Sequence, residues 1–400
     1  MRIAFFPGSI YRYPASFNEP VVSGSLVAPF YLVRTLAKMG HDVHVFTKSM
    51  DGDREHSLLD GVKIHRFKPS KLRSLPRFFL NSHRGYRLFK KENERKRFDI
   101  IQTGEPLFFE LFYAKRNGIR FVFSEQGSML QSSKNTEIRK GWVYNIPTLL
   151  YNQPLFRWTV RKSDRLVFVV KKFLGESKEE LGFDYPKERI EFIPNGIDIG
   201  FFKKVKLKNE KLTSLKKKFK FIAIHVGIIS LIKGQDLSIR AFEKIVRAGE
   251  SACLVIVGSD REKSYSEKIQ RLVKEIGLEK NVKIFLNLPE KDLPEFYSAA
   301  NISLVPSRGY DPMPNVIGES MACELPVIST DWNSRREILD NSCAFFIKEG
   351  DCEDLATKIE GAIKSKIKLR KMGEMARKKI LEKDSKAIAK LYSQLYQRIN

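Results

Sequence analysis

Residues 306–327 read PSRGYDPMPNVIGESMACELPV, and the rest of the chain is best read outward from them. Asp311 and Glu319 are two carboxylates flanking Pro312-Met313-Pro314. Val316, Ile317 and Met321 recur with helical spacing, which predicts a short buried helix with Pro314 tolerated in its first turn. Continuous helix would leave the two acids about 80° apart around its axis. The prolines break it, so Asp311 is expected on a loop and Glu319 on the helix. Backbone N–H groups of Met313 and Asn315, on either side of Pro314, would then lie at the positive end of a helix, a ready anion site. An ionised carboxylate only accepts hydrogen bonds, so an acid on each side of that hole suits sugar hydroxyls. A solvated loop acid and a surface helix acid fit these residues equally well.

The stretch resembles the nucleotide-sugar signature of the retaining family-4 glycosyltransferases, which have the GT-B fold. That signature runs Pro-Ser, two residues, acid-Gly-Phe-Gly, then Glu-Ala-Met-Ala-x-Gly-x-Pro-Val. Pro306, Ser307, Glu319, Met321, Ala322, Pro326 and Val327 match it. Asp311 stands for the usual Glu, Pro312-Met313-Pro314 for Gly-Phe-Gly, and Glu324 for the later Gly. Upstream, Ile193-Pro194-Asn195-Gly196-Ile197-Asp198 is similar to the Ile-Pro-Asn-Gly-Val-Asp that ends the family's first domain.

Residues 227–234, GIISLIKG, follow an apolar strand and open a helix. Lys233 precedes its Gly instead of following one, so this is not a Walker A loop. It resembles the family's Gly-Arg-x-x-x-x-Lys-Gly, whose cations clamp the donor diphosphate. Lys233 and Gly234 are kept, but Ile228 replaces the Arg, which removes a bidentate phosphate grip. Ser334-Arg335-Arg336-Glu337 matches the family's Gly-Gly-x-x-Glu only in its acid, and Arg336 is the expected replacement cation.

Four hundred residues exceed one compact core and suit two domains. Strands are expected at Arg2–Phe6, Asp42–Thr47, Val62–Phe67, Ile100–Thr103, Arg120–Ser124, Leu166–Val170 and Ile190–Ile193. A second series runs Phe219–Val226, Cys253–Val257, Val282–Phe285, Ile302–Val305, Val327–Thr330 and Phe345–Ile347, with helices between. This alternation argues α/β architecture with parallel sheets. The resemblance makes it GT-B: two Rossmann-like, doubly wound domains facing a cleft, with a C-terminal helix crossing back. The expected boundaries are 1–200 for the acceptor-side domain, 201–218 for a Lys-rich linker, 219–382 for the nucleotide-sugar domain and 383–400 for the returning helix. That last helix shows Ile388, Leu391, Tyr392, Leu395 and Tyr396 on one face.

In the first half the resemblance is thinner. Ser23-Gly24-Ser25 stands where the family has two glycines, and only Gly24 is kept for donor or acceptor contact. Asp99-Ile100-Ile101-Gln102 and Ser124-Glu125-Gln126-Gly127 are similar to family motifs that carry histidines. Glutamine bonds a hydroxyl but does not titrate, so Gln126 is expected on the donor sugar without an acid–base role.

Net charge is +25, which calls for anionic partners. Between Val62 and Arg97 lie 13 Lys/Arg against Glu92 and Glu94, a net +11. Leu72, Leu75, Phe78, Phe79, Leu80, Tyr86, Leu88 and Phe89 interleave with them, which suits an acidic membrane surface over residues 63–97. No RRM, KH, HTH or zinc-finger pattern appears, so nucleic acid is not the expected partner. No run reaches the ~18 apolar residues of a membrane span, and the short start before Pro7-Gly8 is not a signal peptide. The chain is expected in the cytoplasm, peripheral on the inner membrane face.

Cys253, Cys323, Cys343 and Cys352 show no C-x-x-C spacing, and the six histidines form no H-x-x-x-H pair. No metal and no cofactor are expected. Asp51-Gly52-Asp53 is a D-x-D of the GT-A kind, but also a common turn. His225 lies inside an apolar strand and reads as a core histidine.

The resemblance implies a glycosyltransferase taking a nucleoside-diphosphate sugar, with Lys233 and the N–H groups near Met313–Asn315 on the diphosphate. It places Glu319 on the ribose and Asp311 on the donor sugar. The acceptor is expected to be a lipid-linked or anionic glycan precursor. A nucleotide-sugar 2-epimerase on the same fold, and a non-catalytic nucleotide-sugar-binding subunit, are the alternative classes.

Overall fold

Short β-branched and aromatic runs, closed by Gly, Pro or charged turns, form two sheets in the computed structural model. The structure describes all residues except 8–12, 14–23, 51, 72–73, 126–152, 173, 176–177, 179–184, 310 and 312. The chain divides into two compact units. One holds β1 below, Ser25–Gly196 and Ser385–Asn400; the other holds Ile197–Asp384.

In the first unit the strands are β1 (Arg2–Phe6), β2 (Asp42–Lys48), β3 (His56–Leu59), β4 (Val62–Phe67), β5 (Ile100–Thr103), β6 (Arg120–Glu125), β7 (Arg165–Phe168) and β8 (Ile190–Phe192). Their order is β3-β4-β2-β1-β5-β6-β7-β8, parallel except for β3 against β4. The unexpected strand is β3, joined to β4 by Asp60-Gly61 with φ of 49° and 81°. Two consecutive positive-φ residues make a type I′ hairpin turn.

The C-terminal helix Ser385–Ile399 belongs to this unit. Ile388, Tyr392, Leu395 and Tyr396 are buried, whereas Leu391 is exposed despite the shared-face reading. Tyr396 donates to the Gln102 side chain, Gln102 donates to Ser124 Oγ at 3.1 Å, and Ser124 lies 3.3 Å from the Tyr392 hydroxyl. Gln102 is thus a buried fastener between sheet and helix.

In the second unit the strands are β9 (Phe221–Val226), β10 (Ala252–Gly258), β11 (Val282–Leu286), β12 (Ile302–Val305), β13 (Val327–Thr330) and β14 (Ala344–Ile347). Every pair is parallel, in the order β11-β10-β9-β12-β13-β14. Strand order reverses between β9 and β12, and ligands of open α/β sheets bind beyond the carboxyl ends at such a switch point. The loops leaving those two strands are residues 227–234 and 306–314. His225 is 2% exposed inside β9 and bonds Ser238 Oγ at 2.8 Å, a satisfied core residue.

Residues 201–218 are not a linker. They lie in the second unit, where Asn209 caps the helix Glu210–Lys218 by accepting from the N–H groups of Lys211 and Leu212. Leu212 and Leu215 bury that helix against the helix Leu293–Ala299. Two apolar residues one turn apart suffice to anchor it, with the lysines left in water.

Glu324 holds φ at 60°, left-handed backbone where the family signature has glycine. Such a conformation costs a side chain roughly 1–2 kcal/mol. The Lys204–Glu324 pair at 3.5 Å is largely exposed and offsets little. Glu324→Gly is therefore expected to raise the unfolding free energy by roughly 1 kcal/mol in urea denaturation. Unchanged or reduced stability would show that the backbone there is not strained.

Candidate functional site

The two switch-point loops are held together by a glycine. Gly234 has φ of 76°, and a Cβ there would stand 2.4 Å from the Pro306 carbonyl oxygen, so no larger residue fits without displacing backbone. The Arg308 N–H donates to Ile232 O at 2.7 Å and completes the contact. Lys233 ends the turn Leu231–Lys233, and the helix Gln235–Arg247 begins beyond Gly234.

From that turn Lys233 reaches Asp311, its Nζ 2.8 Å from both carboxylate oxygens. Ser307 Oγ donates to the same carboxylate at 2.6 Å. Arg335 is fully buried; it donates to Val305 O, Ser329 Oγ and Asp311 O at 2.8–2.9 Å, and its guanidinium lies 3.7 Å from Asp311 Oδ2. Burial pushes the Asp311 carboxyl up, but the Lys233 and Arg335 charges and the bonds from Lys233 and Ser307 outweigh it. The group therefore titrates below the ordinary carboxylate range.

Beyond the loop, Pro314 caps the helix Asn315–Ala322 with extended backbone. Met313 and Asn315 are half-buried at its amino end. Glu319 lies in its second turn, 4% exposed, and accepts from the Tyr297 hydroxyl at 2.7 Å. Burial, opposed by that bond and reinforced by the charge of Glu290, holds its carboxyl up at about 7.

Lys233, Gly234, Asp311 and the start of the Asn315–Ala322 helix thus come together, with Glu319 farther along that helix. Arg336 does not join them. It makes a bidentate pair with Asp331 at 2.7 and 2.8 Å and lies 3.4 Å over the Phe346 ring. Its neighbour Arg335 is the arginine at Asp311. Arg308, equally unforeseen, pairs with both oxygens of Asp236 at 2.8–2.9 Å.

Gly24 opens the helix Gly24–Lys38, while Gln126 lies outside the described residues. In the D-x-D, Asp51 also lies outside them. Asp53 is buried 3.7 Å from Arg66 and accepts from Met50 N at 2.8 Å, which suits a turn. Among the described residues one cluster has metal-ligating types, His44, His65 and Glu92. There the two histidines bond each other at 2.8 Å, and Arg2 lies 3.4 Å from His44 and 3.7 Å from Glu92, so a cation already fills the cluster.

Comparison with known families agrees with this geometry. The model "Glycosyl transferases group 1" matches residues 208–379, and "Glycosyltransferase Family 4" matches residues 23–201. The chain belongs to the group 1, family 4 glycosyltransferases. It is 28% identical over 210 residues to an uncharacterised glycosyltransferase of Methanocaldococcus jannaschii, covering 50% of this chain and 49% of that one. The chain thus spans about half the length of that relative. Sucrose-phosphate synthase from Thermosynechococcus elongatus superposes with a TM-score of 0.81 at 19% identity, covering 100% of this chain and 98% of the other. Anabaena HepE in complex with UDP-glucose superposes at 0.73 and 15% identity, with both chains wholly covered. These likenesses establish the GT-B fold.

Asp311→Asn removes the counter-charge of Lys233 and of buried Arg335, and is expected to cost roughly 2 kcal/mol of unfolding free energy. Because the folded carboxyl titrates low, that contribution is present above the unfolded value of about 3.9. It is lost as pH falls through the folded value. Urea titrations should show a constant gap between wild type and variant from pH 8 to 5 that closes under stronger acid. A gap that persists under strong acid, or none at neutral pH, would rule out the ion pair as its source.

Proposed function

We propose that this glycosyltransferase moves a sugar, with retention, from a nucleoside-diphosphate sugar to a lipid-linked or anionic glycan precursor at the inner membrane face. The observation that carries the donor reading is Lys233 held against Asp311 beside the amino end of the Asn315–Ala322 helix, at a switch point. A cation and a helix N-terminus are what a diphosphate needs. Asp311 keeps Lys233 oriented until the donor phosphates take over that contact. Three of the roughly four acceptor positions of its carboxylate are in use, which leaves one for a donor-sugar hydroxyl. Glu319 receives the ribose. Gly24 and Gln126 are kept as contacts to the sugar or acceptor, and no metal is needed to balance the phosphates. HepE with UDP-glucose supports this class of donor.

The membrane reading rests on the helix Ser74–Arg95, not on the whole of residues 63–97. Val62–Phe67 is strand β4, with Ile64, His65 and Arg66 buried. On the helix, Arg84, Arg87, Lys90 and Lys91 are exposed together with Phe79 and Leu80. No described helix is long and apolar enough to cross a membrane, so attachment would be through this face.

Calorimetry against UDP-, GDP- and ADP-sugars should identify one that binds, and Lys233→Ala should weaken it by about 1.5–3 kcal/mol. Unaltered affinity would remove Lys233 from the phosphates. Sedimentation with acidic but not neutral vesicles is expected, fading with salt. Replacing Arg84, Arg87, Lys90 and Lys91 with Ser should reduce it without unfolding the chain. Equal binding to both vesicle types would exclude the electrostatic surface.

A further inference from the structure

Glu319 is gripped on one side only. Tyr297, fully buried on the helix Leu293–Ala299, donates to its Oε2, and among the described residues nothing bonds its Oε1. Glu290, 6% exposed on the turn before that helix, is a second buried acid whose charge reaches Glu319. Cys323, at the end of the Asn315–Ala322 helix, is buried nearby. From the helix Lys366–Ile380, Arg377 reaches the Ala322 carbonyl. On the strand side, neutral Ser303 accepts from Ser320 at 2.8 Å.

We propose that Tyr297 and Glu290 are positioning residues that set the charge of Glu319, so that one proton on that carboxyl gates recognition of the donor ribose. The inference rests on the ribose role given to Glu319 above. As a carboxylate with one oxygen anchored by Tyr297, Glu319 turns its other oxygen toward hydroxyl donors. A proton on that oxygen replaces the charge-assisted acceptor with a neutral acid and weakens the contact. Burial disfavours the charged form, the Tyr297 bond favours it and the Glu290 charge disfavours it, which together hold the carboxyl up at about 7. Ionised Glu319 then falls from about nine-tenths of molecules at pH 8 to about one-tenth at pH 6. Binding that needs the carboxylate weakens about tenfold over that interval.

The test is calorimetry from pH 5.5 to 9 with UDP-glucose, UDP-N-acetylglucosamine, GDP-mannose and ADP-glucose, keeping whichever binds at pH 8. These diphosphate diesters hold their charge across the range. The 2′,3′-dideoxy counterpart of that donor is measured beside it. Wild type should bind the parent about tenfold more weakly at pH 6 than at pH 8, while the dideoxy compound binds weakly and shows no such step. Tyr297→Phe keeps the ring and loses the donor, so the midpoint should move to higher pH. Glu290→Gln should move it to lower pH. Loss of packing alone would weaken binding at every pH and shift neither midpoint.

A dideoxy compound weaker than its parent, with no pH step for the parent, overturns the gate and leaves the ribose contact standing. Equal affinity for both compounds at pH 8 overturns the ribose contact itself, and failure of all four donors overturns the donor reading as a whole. Midpoints that move in the same direction in the two variants also overturn the proposal. The wild-type comparison needs no variant to fold.

Discussion

A guanidinium with no access to solvent constrains the second unit more than any other group described. Arg335 sits where an unpaired charge would cost several kcal/mol, a large part of the 5–15 kcal/mol that typically holds a domain together. It is tolerable because β12, the loop after β12 and β13 each supply an acceptor: Val305 O, Asp311 O and Ser329 Oγ. The Asp311 carboxylate lies beside it and is shared with Lys233. The loop between β12 and the Asn315–Ala322 helix is therefore tied at Asp311, even though prolines have replaced the small residues of the family signature. Gly234 completes the constraint from the other side, since the 227–234 loop can meet Pro306 only without a side chain there.

The departures from the family pattern gain a physical reading in this light. Ile228 removes one cation from the glycine loop, yet the switch point remains cationic through Lys233, Arg308 and Arg335. Arg308 is answered by Asp236, Asp311 is shared by Arg335 and Lys233, and Lys233 is the more exposed of those two cations. Its side chain is 23% exposed, against 0% for Arg335. Of the two cations on Asp311, the more exposed is the cheaper to release, because less desolvated charge is uncovered when its pair opens. Glu324 makes a related point: the left-handed backbone of the signature persists there although the glycine does not.

Most of the sheet architecture was legible in the sequence because parallel strands covered on both faces read as unbroken apolar runs. β3 was not, since only alternate residues of His56–Leu59 are even half-buried, and its signal was the Asp-Gly turn that follows. The helix Glu210–Lys218 hid behind its lysines, with Asn209 as the overlooked cap. The choice between Arg335 and Arg336 could not be read at all. In a three-residue turn, neighbours point about 120° apart, and nothing local in Ser-Arg-Arg-Glu says which one faces inward. Arg335 goes inward because strand-end acceptors await it there, and those acceptors come from residues 6 and 30 positions away.

The two acids that frame the site are chemically alike, and the fold drives them in opposite directions. Asp311 is surrounded by donors: one ammonium, one hydroxyl and a guanidinium. Its charge is secured well below neutral pH, so it cannot respond to ordinary changes in acidity and serves as an anchor. Glu319 has a single hydroxyl donor and a second acid within range, inside apolar packing that disfavours its charge. Where environments push like groups apart, the group held near neutrality is the one able to change state in use. The helix that carries Glu319 begins four residues after Asp311, so the fixed charge and the labile one follow each other along a single loop-and-helix segment.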